Sequence, residues 1–169
     1  MLEITVFLCG AIVMIYEIVG SRVVAPYFGT SIYVWTSLIG VILASLAAGY
    51  WFGGRLADQK PRFSTLSAII LIAALLIGLT TLAKDNILQF LTQITDSLMS
   101  RTLLTALLLF APASIFLGMV SPYAVRLKLV SLDTSGKTVG NLYAISTIGS
   151  IAGTFTAGFF LIPLLGTIN

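Results

Sequence analysis

Apolar runs of membrane-crossing length, separated by short clusters of charge and turn chemistry, divide this chain of 169 residues. A span needs about 20 mostly apolar residues to cross about 30 Å of hydrocarbon. The first run extends from Ile4 to about Val24, contains Glu17 and Arg22, and stops at Pro26. The second, Tyr33 to Gly53, follows the turn-forming stretch PYFGTS. The third is Phe63 to Ala83, and the fourth is Thr102 to Val125, with kinks expected at Pro112 and Pro122. The fifth is Val139 to Leu165, closing at Pro163 and Gly166. Between the third and fourth runs, Ile87, Leu91, Ile94 and Leu98 recur at helical spacing, with Asn86, Gln89, Gln93, Asp96 and Ser97 on the remaining surface. With Asp85 as its cap, this pattern predicts a short helix over residues 86–99 lying along the interface. The whole is read as one all-α transmembrane domain over residues 1–169, with about five membrane-spanning helices.

Composition sharpens that picture. Hydrophobic residues make up 58% and charged residues 9%, far below the roughly 25% charge of soluble domains, and the mean hydropathy is +1.07. The solvent that suits this surface is lipid. The net charge of +3 is scattered over the ends of apolar runs, which argues against nucleic acid and for membrane-side markers. Arg55, Lys60, Arg62, Arg126, Lys128 and Lys137 fall on one side, and Arg22, Lys84 and Arg101 on the other. Positive-inside bias therefore puts the first set and the N-terminus in the cytoplasm, across a plasma (inner) membrane. Tyr33 and Trp35 then belong to an outer aromatic belt. Glu3 replaces the cations of a secretory leader, so the first run is read as a mature span.

Histidine is absent and Cys9 is the only cysteine. Disulfide frameworks, histidine metal sites, Cys/His dyads and Ser-His-Asp triads are thereby removed, and no metal or cofactor is expected. The stretch GYWFGGRLADQKPR has glycines near a basic cluster, but a phosphate-binding loop must follow a strand and open a helix. Here the glycines end a helix-length apolar run, so the stretch is read as a hairpin between two spans.

Gly54, Asp58, Lys60 and Arg62 in that stretch resemble the loop between the second and third helices of the major facilitator superfamily, with Gln59 where a base is usual and Pro61 where glycine is usual. More widely, EIVGSRVVAPYFGTSIYVWTSLIGVILASLAAGYWFGGRLAD, FLGMVSPYAVRL and GNLYAISTIGSIAGTFTAGFFLIPLLGT resemble the N-terminal membrane domain of the fused major facilitator/spermidine synthase-like proteins. The resemblance implies a facilitator-like half-bundle preceding a cytosolic aminopropyltransferase-like domain, which this sequence is expected to lack along with a sixth helix. No enzyme activity is therefore expected of the chain itself.

Glu17 is the sharpest functional candidate, since an acid within hydrocarbon is costly and faces a partner, a cavity or a proton path. It suits a cationic, polyamine-like solute or a coupled proton; a fixed ion pair with Arg22 or Arg101 is the structural alternative. Tyr143, at the start of the fifth span, joins Glu17 and Arg22 as a substrate candidate, with interfacial anchoring as its other role. By the facilitator resemblance, Arg55, Asp58 and Arg62 form a cytoplasmic gate, to which Arg126 is added, although helix-end electrostatics also accounts for Arg126. Gly40, Ala44, Gly49 and Gly53 on the second span, and Gly149, Gly153 and Ala157 on the fifth, are small residues that permit close helix approach. They suggest a mating surface for a second copy or a complementary membrane half. The leading expectation is thus an oligomeric membrane module that transports or handles a small cationic solute. The alternative is a non-transporting anchor for a separate spermidine synthase-like transferase.

Overall fold

The computed structural model describes residues 1–94, 97–129 and 135–165. Five long apolar helices form an all-α bundle: α1 (Leu2–Phe28), α2 (Ile32–Gln59), α3 (Phe63–Ile94), α4 (Leu98–Lys128) and α5 (Ser135–Leu164). Each is long and apolar enough to cross a membrane. Buried residues occupy 56% of the apolar window of α4 and 44% of that of α2, against 17% in each of the other three, so α2 and α4 form the centre. The remaining helices pack outward from that pair: α3 lies on α4, while α1 touches α2 and α4 and packs most closely on α5.

The breaks between helices follow from local chemistry. Gly29, at φ 76°, adopts the left-handed conformation that an L side chain disfavours, and it ends α1. Its amide donates to the Ala25 carbonyl, and Ser31 in extended conformation then leads into α2. At the other end of α2, Pro61 forces Lys60 out of helical geometry, to φ −138° and ψ 70°. Only residues 60–62 turn the chain.

Several boundaries differ from the sequence reading, each for an identifiable reason. Pro26 does not stop α1, because a proline in the final turn removes one hydrogen bond without preventing two further helical residues. The stretch from Gly49 to Gln59 is helical rather than a hairpin, since the paired glycines do not break a helix whose Gly53 is packed against Met119. No separate interfacial helix begins at Asp85: α3 runs unbroken through it to Ile94. No glycine or proline lies between Gly78 and Ile94, so nothing interrupts propagation. Rather than capping a helix, Asp85 accepts hydrogen bonds from Tyr27 Oη at 2.8 Å and Lys84 Nζ at 3.1 Å. Residues 95 and 96 of the expected helix lie outside the described residues, and Leu98 and Met99 open α4. At 32 residues, α3 is about 48 Å long, more than the about 30 Å of a hydrocarbon core, and Leu88 and Leu91 in its polar last third are buried.

Two turns of π-helix interrupt the long helices, over Ala106–Phe110 in α4 and Thr156–Leu161 in α5. Pro112 and Pro163 lie two residues beyond their ends. A proline ring collides with the carbonyl four residues before it, and widening the preceding turn relieves that collision. Pro122 sits in regular helix without such a turn.

Candidate functional site

In the middle of α1, Glu17 stands 15 residues from Leu2 and 11 from Phe28, closer to the centre than the shorter predicted span implied. At helical spacing it shares a side with the buried Gly10, Gly20, Ser21 and Val24, which places it on the inward part of the helix. It is half-buried. Among the described residues it makes no hydrogen bond and no ion pair. Arg22 is exposed and does not pair with it.

Tyr143 is not brought to Glu17. It lines a small cleft with Val6, Ser121, Val125 and Leu142 near the end of the bundle that carries Met1. Val6 and Glu17 are 11 residues apart on α1, about 16 Å along the axis. The three substrate candidates therefore occupy three separate places.

At the end of the bundle bearing Met1, the charged candidates do converge in part. Arg126 Nε donates to Asp58 Oδ1 at 3.1 Å, joining the last turns of α2 and α4. Lys128 pairs with Glu3, which also accepts from Asn141 Nδ2 at 3.4 Å, so α1, α4 and α5 meet at one carboxylate. Arg55 instead stacks over the Trp51 ring, 3.6 Å from its centroid. The Arg62 side chain is exposed, but its backbone is held: Tyr123 Oη accepts from the Arg62 amide at 3.2 Å and donates to the Lys60 carbonyl. Tyr123 is fully buried. Sequence reasoning passed over it, although a tyrosine beside Pro122 at the end of a span is where a buried ring with a polar tip would be sought.

The small-residue positions separate into two groups. Gly49 and Gly53 face α4: a Cβ on Gly49 would collide with the Ile115 carbonyl oxygen, and one on Gly53 would lie 2.6 Å from Met119 Cα. Gly149 and Gly153 press on α1 at Phe7 and Ala11 in the same way, and Ala157 is fully buried further along α5. These five positions are consumed inside the chain and are not open to a second copy, which corrects the expectation drawn from their spacing. Close backbone contact is where dispersion accumulates between membrane helices. Gly40, by contrast, has nothing within 4 Å. With Ala44 and Ala48 it lines a groove of about 780 Å³ between α2 and α4, whose other wall is Met99, Leu103, Leu107, Ala111 and Ile115.

A polar cluster that the sequence did not reveal lies beside Glu17 in the chain. Tyr16 Oη donates to the Leu109 carbonyl at 2.9 Å, Thr80 Oγ1 lies 3.0 Å from the same oxygen, and the two hydroxyls are 3.1 Å apart. Three helices are thereby joined through the π turn of α4. The Tyr16 ring also packs on Phe110, centroids 5.1 Å apart, and Phe110 fills the space that a side chain at Gly20 would need.

No cluster of three or more potential metal ligands occurs among the described residues. No protein-family model matches the chain, and no curated protein or solved structure matches it either.

Proposed function

We propose that this chain is a membrane module that transports or handles a small cationic solute, polyamine-like in chemistry, and works as part of an oligomer. The observation that carries this reading is Glu17: an acid near the midpoint of an apolar helix, on its inward side, with no cation or hydrogen-bond donor from the described residues. Such a group is costly in hydrocarbon and is retained where a cation or proton visits it. The resemblance to the membrane domain of facilitator/spermidine synthase-like fusions points the same way. In this reading Asp58 and Arg126, with Arg55 and Arg62 beside them, form the cytoplasmic end, because six of nine cations lie on that side. Reconstitution into proteoliposomes with labelled spermidine tests it. Uptake lost in Glu17→Gln but kept in Arg22→Gln supports the proposal; equal uptake by the parent and Glu17→Gln removes Glu17 from the mechanism.

A second reading, an anchor for a separate cytosolic transferase, is favoured by the character of the α2–α4 groove, which is walled mainly by apolar side chains. The exposed Lys60 and Arg62 would be its docking face. Charge reversal at both positions would then abolish partner recruitment, while Glu17→Gln would change nothing.

A further inference from the structure

We propose that the π turn of α4 is a hinge, latched by the hydroxyls of Tyr16 and Thr80 on the Leu109 carbonyl, and that its release rotates the first arm of α4 and reshapes the groove against α2.

Four observations converge on this turn. It is a wide turn of five residues, Ala106–Phe110, ending two residues before Pro112, so its hydrogen-bond pattern differs from that of the helix on either side. Its Leu109 carbonyl accepts from Tyr16 of α1 and lies 3.0 Å from the hydroxyl of Thr80 on α3, whose single proton is shared with the Leu76 carbonyl of its own helix at 2.9 Å. A void of about 110 Å³ adjoins it, lined in part by Thr80, Leu108, Leu109 and Pro112, and gives the turn room to change shape. Finally, Thr105, the residue before the turn, is fully buried, and its hydroxyl has no hydrogen-bond partner among the described residues. Buried hydroxyls are normally satisfied, and that of Thr105 is not in this orientation of the arm.

The consequence for the groove follows from where the hinge lies. Met99 and Leu103 are on the arm before the turn, Leu107 is within it, and Ala111 and Ile115 are beyond it. A π turn holds one more residue than an α turn. Converting it to α geometry turns the preceding arm by about 100°, the angle of one residue. That carries Met99 and Leu103 off the groove wall while Ala111 and Ile115 stay against α2. Among the described residues, the π turn of α5 receives no hydroxyl from another helix, so the latch distinguishes α4.

The experiment is a spin-label distance measurement in lipid nanodiscs, on Cys9→Ser protein with labels at Leu43→Cys on α2 and Leu104→Cys on the first arm, both lipid-exposed positions. Tyr16→Phe combined with Thr80→Val removes both donors at nearly constant volume. The expected result is a second distance population, shared by Pro112→Ala, whereas Thr80→Ser keeps the parent distribution. An unchanged single population in both the double variant and Pro112→Ala overturns the proposal. Should the double variant fail to fold, Tyr16→Phe alone is read by the same criterion.

Discussion

Gly49 and Gly118 face one another across the α2–α4 contact with no side chain between them: a Cβ on Gly118 would lie 2.8 Å from the Leu46 carbonyl oxygen and 3.3 Å from Gly49 Cα. The obstacles are backbone atoms, which cannot swing aside as a side chain does. Gly49→Ala is therefore expected to destabilise the bundle by about 1–3 kcal/mol, the usual range for overpacking. Gly40→Ala, in open space, should leave stability unchanged or slightly raised. Unfolding by rising SDS in mixed micelles compares the two directly.

Tyr123 ties the α2–α3 turn to α4 through both of its hydrogen-bonding capacities. In Tyr123→Phe the ring still fills its place, but the Lys60 carbonyl and Arg62 amide lose their partner. We expect a loss of about 1–2 kcal/mol, with about 1 kcal/mol the typical net value of each of the two bonds, and faster amide exchange confined to residues 60–62. Uniformly faster exchange along α2 and α3 would contradict a local role.

The Asp58–Arg126 pair is exposed on both sides, so its coupling in a double-mutant cycle should stay below about 1 kcal/mol and shrink further as salt is added. If Asp58 acts at a gate, Asp58→Asn will alter uptake far more than it alters stability. A coupling well above this value would mean that the pair is a structural clamp.

Topology offers a further check. Lys60 lies at the turn after α2 and Lys84 in the last third of α3, about 32 Å along that helix from its start at Phe63. In Cys9→Ser protein, cysteines placed at these two positions should react with a membrane-impermeant reagent from opposite faces of sealed vesicles. Labelling of both from one face would dismiss the five-span arrangement.

How much of this was legible in the residues depends on the scale of the feature. Apolar runs mark the five helices because lipid imposes one length and one chemistry on every crossing. Their ends were harder to read. Pro26 and the Gly53–Gly54 pair are strong local breakers, yet neither breaks a helix here, because the final turn tolerates the first and packing on Met119 accommodates the second. Asp85 had the chemistry of a cap but meets Tyr27, a partner 58 residues away that no local pattern could supply. The small-residue spacing on α2 was visible, but not that Gly49 and Gly53 press on the α4 backbone while Gly40 and Ala44 face the open groove beside that contact. The charges at Asp58 and Arg126 were picked out individually, and their meeting depends on α2 and α4 running parallel. Tyr16, Thr80 and Leu109 were invisible for a further reason: one of the three partners is a backbone carbonyl, which carries no signature in a sequence.

The closest partner of α1 is also the last of the five helices to be made. Phe7 and Ala11 nest against Gly149 and Gly153, so the opening helix must remain in the bilayer, its tightest neighbour still on the ribosome, while more than a hundred further residues are threaded in. Insertion intermediates ending before Ser135 should consequently hold α1 loosely, exposing Gly10 and its neighbours to chaperones, to lipid, and to the quality-control proteases that survey unpartnered membrane helices.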